Sequence, residues 1–219
     1  MDKRFLIEVE NVSEESLPHL VYFSEIGIAP GIIGKPVAGY TVRKHVDGAP
    51  LDAVLSYKSS DGENLEKLKS MFSEMYMRDF SKTEKLMDIY TRLGSYLANV
   101  KKRNVQHGDM LTNNIIIGRT GAPYLIDWEI LVDLEKFTED ELCCEGEIEN
   151  IDIELLTSDT ESILRKGKFK TIGQKINEAC VERYNNDLKS FGIKKLFEYS
   201  PYSSDAGSDA TFFHNLKLA

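Results

Sequence analysis

Gln106-His107-Gly108-Asp109-Met110-Leu111-Thr112-Asn113-Asn114-Ile115-Ile116-Ile117, followed by Tyr124-Leu125-Ile126-Asp127-Trp128, is the stretch from which the fold can be read. Asn114 lies five positions after Asp109, and Asp127 eighteen. The apolar run after Asn114 predicts a strand, Gly118-Arg119-Thr120-Gly121 a turn, and Tyr124-Leu125-Ile126 a second short strand. A hairpin of this kind returns Asp127 to the neighbourhood of Asn114 and leaves Asp109 on the loop ahead of it. Two carboxylates and an amide so arranged suit phosphoryl transfer. That reaction asks the protein for a base to receive a hydroxyl proton and for hard oxygen ligands to a phosphate-bound magnesium ion. Asp109 is the candidate base; Asn114 and Asp127 are the candidate metal ligands. Read without that chemistry, both acids are turn caps around a buried hairpin.

The pattern resembles the catalytic loop and metal-binding acid of the protein kinase-like superfamily, which includes the atypical RIO-like kinases, the choline kinases and the aminoglycoside phosphotransferases. His107-Gly108-Asp109 stands where His-Arg-Asp is usual, and Asp127-Trp128-Glu129 where Asp-Phe-Gly is usual. Both variants are similar to the atypical and small-molecule branches. The resemblance implies an α+β, two-lobe kinase-like fold. A truncated N-terminal β lobe with the hinge spans residues 1–48, and a mainly helical C-terminal lobe that carries the catalytic loop spans 49–219. It also implies ATP and Mg2+ as cofactors, with backbone groups of Lys44 to Val46 meeting adenine.

Working outward, Phe5 to Glu10 predicts a strand, and Leu17 to Ile26 a short helix with Pro18 in its first turn and Ser16 as N-cap. Gly31–Gly34 and Tyr40–Val46 predict two strands, and Asp47-Gly48-Ala49-Pro50 turns into a helix. Residues 51–80 carry two short helical patches. Ser81-Lys82-Thr83-Glu84 reads as a capping box opening a long helix, whose stripe is Leu86, Ile89, Tyr90, Leu93, Leu97 and Val100. Lys101-Lys102-Arg103 closes that helix. Ile172, Ile176, Cys180, Tyr184 and Leu188 mark a further core helix, closed by Gly192. Residues 199–210 read as a surface loop. Asp159 either caps a helix or, as the resemblance implies, bonds the catalytic-loop backbone.

The 219 residues carry a net charge of −9, which disfavours a nucleic-acid backbone as the main partner. Much of the acid lies in Glu139–Glu154, read as a solvated loop. Cys143, Cys144 and Cys180 show no zinc spacing and read as reduced thiols in a cytoplasmic setting. No signal peptide or membrane-length apolar run is present in the sequence.

The resemblance is specific only over 105–129. No glycine-rich phosphate loop is found; Gly31, Gly34 and Gly39 follow the first helix rather than preceding it. The lysine that would hold the α- and β-phosphates falls near position 8, which is Glu8, with Lys3 and Arg4 just ahead. Glu14 and Glu15, the candidate helix acids, precede Ser16. Leu111 replaces the lysine of Ser/Thr kinases, and Gly108 removes the arginine that couples activity to loop phosphorylation. The leading expectation is an atypical Ser/Thr protein kinase, since few residues follow Asp127 to build an acceptor pocket. The alternatives are a small-molecule phosphotransferase, for which Glu129 and the acidic run speak, and a pseudokinase acting as a binding module.

Overall fold

A computed structural model describes residues 7–14, 16–36, 40–60, 62–128, 132–134, 150–194 and 196–201. These residues form an α+β fold of seven α-helices, seven short strands and one 3-10 turn. β1 (Ile7–Asn11) pairs antiparallel with β2 (Tyr40–Lys44), and α1 (Leu17–Glu25) lies between them in sequence. The expected strand at Gly31–Gly34 reduces to a single bridge from Ile32 to Arg43, within a segment rich in glycine and proline. Pro18 does sit in the first turn of α1. Ser16 occupies the N-cap position but does not cap through its side chain, because its hydroxyl is taken by Ser13 Oγ at 2.7 Å.

β3 (Gly48–Pro50), β5 (Ile115–Gly118) and β6 (Pro123–Leu125) form a three-stranded antiparallel sheet with β5 central. Gly48 is required there. A Cβ on it would stand 2.0 Å from the Ile117 carbonyl oxygen, so the strand could not approach. The predicted hairpin is present, with Ile115 opposite Leu125 and Ile117 opposite Pro123. β4 (Val105–Gln106) pairs with β7 (Val132–Asp133).

The helices follow β3. Residues 51–80 hold three helices rather than two: α2 (Leu51–Ser59), α3 (Gly62–Met71) and α4 (Glu74–Phe80). The capping box at Ser81 does not form. Ser81 ends α4, its hydroxyl facing the Arg78 carbonyl, and Lys82 is the N-cap of α5 (Thr83–Lys102). The α5 stripe Leu86, Ile89, Tyr90, Leu93, Leu97 and Val100 is fully buried, as its spacing predicts. It packs along α7 (Lys168–Ser190), whose Ile176, Cys180, Tyr184 and Leu188 face inward. At the crossing Gly94 lets the backbones meet; a Cβ would stand 2.2 Å from the Cys180 carbonyl oxygen. Gly192, at φ +80°, closes α7 as expected. α6 (Ile151–Ile163) lies beneath the 3-10 turn at Thr112–Asn114. It overturns the reading of Glu139–Glu154 as one solvated loop: from Ile151 on the run is helix, and Asp152 is buried. Cys143, Cys144, Glu129, Glu139 and most of the 199–210 stretch lie outside the described residues. Among the described residues no helix is long and apolar enough to cross a membrane.

Candidate functional site

The candidate site is built on the segment joining β4 to β6. After β4 the chain turns through Gly108, at φ +82°, reaches Asp109, makes one 3-10 turn over Thr112–Asn114 and enters β5. Asn114 is its hub. The Asn114 Nδ2 donates to the Asp109 backbone carbonyl at 2.9 Å and to Asp109 Oδ2 at 3.0 Å. The Asn114 carbonyl in turn accepts from the Ile126 amide at 3.0 Å. The hairpin thus brings Asp109, Asn114 and the residue before Asp127 into one bonded set. Asn114 is 4% exposed, Asp109 half-buried and Asp127 exposed.

Asp127 itself is held in a left-handed backbone conformation, φ +64°. A non-glycine residue there carries strain of about 1 kcal/mol or more, which persists only where neighbours impose it. The neighbours are visible. His107 Nε2 lies 2.8 Å from the Ile126 carbonyl, and Trp128 Nε1 donates to the Leu125 carbonyl at 2.9 Å. The buried Trp128 indole stacks on Phe23 of α1, centroids 4.9 Å apart, and tilts against the His107 ring at 4.6 Å. Asp127 is therefore clamped on both sides by residues whose rings are packed.

Two acids of α6 hold the loop from below. Asp152 Oδ2 accepts from the His107 amide at 2.8 Å, and Asp152 Oδ1 from the Gly108 amide at 2.9 Å. Asp159 Oδ2 accepts from the Thr112 amide at 2.9 Å and from the Thr112 hydroxyl at 2.6 Å. Asp159 sits deep within α6, so the N-cap alternative falls and the loop-binding one stands. Asp152 is the residue that the sequence reading missed. Its signal was present: Asp152, Leu156 and Thr160 recur every four positions, so an acid shares the buried face of a helix. Burial pushes its carboxyl upward, while His107 and the two amides oppose that shift. Burial likewise pushes the His107 imidazole below its usual range, against the pull of Asp152 and other carboxylates. Because a carbonyl oxygen only accepts, the His107 Nε2 is the donor to the Ile126 carbonyl. Asp52, in the first turn of α2, is raised by burial and, secondarily, by the charge of Asp159; the Ala53 amide opposes both.

For a magnesium-bound phosphate the donor set fits. Asn114 spends its nitrogen on Asp109, its Oδ1 accepts only one long bond from Asn113 Nδ2 at 3.3 Å, and Asp127 offers an exposed carboxylate. Among the described residues no group of three or more His, Cys, Asp or Glu side chains forms a cage. Magnesium bound chiefly by phosphate and water needs only one or two such oxygens. Of the two residues expected to meet adenine, Lys44 is exposed and its amide is committed to the Gly31 carbonyl at 2.8 Å. Val46, the other, is half-buried beside Gly118. Lys102 and Arg103 end α5 over aromatic rings, at 4.3 Å from the Phe191 centroid and 4.5 Å from that of Tyr22. A groove of about 940 Å³ between α3, α4 and the Arg119 turn is lined by none of Asp109, Asn114 or Asp127.

The chain matches no protein-family model and no curated protein sequence.

Proposed function

We propose that this protein is an ATP-dependent phosphotransferase, an atypical Ser/Thr protein kinase that passes the γ-phosphate to a protein hydroxyl. The observation that carries the reading is the Asn114 side chain. Its single amide fixes the Asp109 carboxylate and, through its own backbone carbonyl, the strand end that presents Asp127. The fold reading goes with it: β1, α1 and β2 form a truncated upper lobe, and the helices from α2 onward form the lower one.

In this account Asp109 accepts the proton of the attacking hydroxyl, and Asn114 Oδ1 with Asp127 holds magnesium. When bound, magnesium supplies charge neutralisation at the phosphates. His107 and Trp128 keep Asp127 in its left-handed conformation, and Asp152 and Asp159 keep the loop against α6. Phosphoryl transfer asks mainly for positioning of this kind. The half-exposed Asp109 and exposed Asp127 favour an acceptor presented from outside over one enclosed in a cavity.

The two acids separate the roles. Asp109→Ala should cut transfer by about 10²–10⁴-fold while leaving Mg-ATP affinity near that of wild type. Asp127→Ala should remove the magnesium-dependent part of nucleotide binding itself. Calorimetric titration with and without Mg2+ reads both. Two variants with wild-type transfer and wild-type binding would end the assignment.

A further inference from the structure

The face built by α3 and α4 leaves apolar side chains in water. α3 buries none of its residues, and Met71 at its end is 61% exposed. Met75, in the first turn of α4, is 82% exposed. Beside the two methionines lies the groove of about 940 Å³, whose aromatic lining is Phe72, Tyr76 and Phe80. That lining is fixed in place. The Tyr76 and Phe80 rings pack with centroids 4.5 Å apart. The Tyr76 hydroxyl donates to the Ile117 and Gly118 carbonyls, and Phe80 lies so close to Gly121 that a Cβ there would stand 2.6 Å from its ring. A short helix gains most of its stability from a covered apolar face. A preformed apolar recess flanked by exposed methionines marks an interaction surface.

Charge says what covers it. The chain carries −9, yet residues 62–82 hold four acids and four bases and are locally neutral. Two of the three cations lining the groove are spent within the chain: Lys82 pairs with Asp79 at 2.6 Å and Arg119 with Asp47 at 2.8 Å. Such a face has little field with which to steer a strongly charged partner. Two copies of an acidic protein repel each other, and they meet at least cost where the local charge vanishes. Glu74 and the third cation, Arg78, are both exposed and lie one turn apart on α4, so each copy offers one charge of either sign. A two-fold contact also needs a projection and a recess on the same surface, because one patch must fit itself. This face has both.

We propose that two copies of this chain associate through the α3–α4 face about a two-fold axis, the Met71 and Met75 side chains of each entering the aromatic groove of the other. The groove is lined by none of Asp109, Asn114 or Asp127, so this association and the phosphotransferase reading stand or fall separately.

The test is sedimentation velocity on the full chain over a concentration series, for wild type, Met75→Glu, Met71→Lys and Tyr40→Glu. The wild-type mass should rise from that of one chain toward twice that value between about 1 and about 200 µM, the range suited to a small interface. Met75→Glu should weaken association about ten-fold or more, because it carries a charge into an apolar recess. Met71→Lys should act in the same direction although the added charge is opposite, which separates burial from simple repulsion. Both methionines are exposed, so neither change threatens the fold of the single chain. Tyr40→Glu changes another exposed large side chain, 53% exposed on the β1–β2 ribbon, and should leave association within about two-fold of wild type. A wild type that keeps the mass of one chain throughout would overturn the inference. So would a dimer that Tyr40→Glu dissociates and Met75→Glu does not, since the contact would then lie on the ribbon.

Discussion

Asp152 illustrates how a single residue of one helix holds a loop that is remote from it in sequence. It neutralises two adjacent backbone amides, those of His107 and Gly108, at the turn that delivers Asp109. Both donors lie in a water-poor interior, so each would be expensive to leave unmade. Asp152→Ala orphans the pair and should cost about 2–4 kcal/mol of stability, read from urea unfolding. A loss under half a kilocalorie, on the order of a surface substitution, would show that the loop does not depend on α6.

His107 carries a pH signature at the same scale. Burial holds its imidazole below the usual 6.5, so the unfolded chain takes up a proton that the folded one refuses. Its contribution to stability is complete above 6.5 and is lost as pH falls from there toward the lowered folded value. Unfolding free energy should therefore decline on acidification through this window, by up to about 1.4 kcal/mol per pH unit. His107→Gln should flatten that slope; an identical slope in the variant would show that His107 is not buried neutral.

At the scale of elements, the α5–α7 pair forms the framework on which the loop rests. Periodicity revealed both helices because each buries one continuous face, and burial on a helix face writes itself into the sequence every three or four residues. The contact between them was not legible. Nothing in Arg92-Leu93-Gly94-Ser95 announces that Gly94 lies against the Cys180 carbonyl. Gly94→Ala improves helix propensity by at most about 1 kcal/mol, while the clash it creates costs about 1–3 kcal/mol. Net destabilisation is expected in thermal unfolding, and a stabilised variant would contradict the close crossing. Helix starts were also misread. The Ser81 hydroxyl serves the end of α4 rather than the start of α5, since the two helices follow each other with almost no linker. A capping motif carries no mark of which helix it belongs to.

For the molecule as a whole, the parts of the site that are close in sequence were legible and the distant ones were not. Asp109, Asn114 and Asp127 are joined by one hairpin whose turn and alternation are local, and the structure does bring Asn114 against Asp109 and beside the Ile126–Asp127 step. Asp152 and Phe23 reach the loop from elements remote in sequence, so no spacing rule connects them to it. The burial of Arg43 was hidden for a related reason. In Tyr-Thr-Val-Arg-Lys the alternation alone does not say whether Val42 or Arg43 faces in, and only the ribbon's packing settles it.

The measurement that bears most directly on this account is transfer itself. Purified protein is incubated with γ-labelled Mg-ATP and a cell extract, with Asp109→Ala in parallel. The account predicts label on protein in the wild-type reaction and its disappearance with Asp109→Ala. Label that persists unchanged in the variant, or none in either reaction, would contradict it and leave a binding module built around an idle loop.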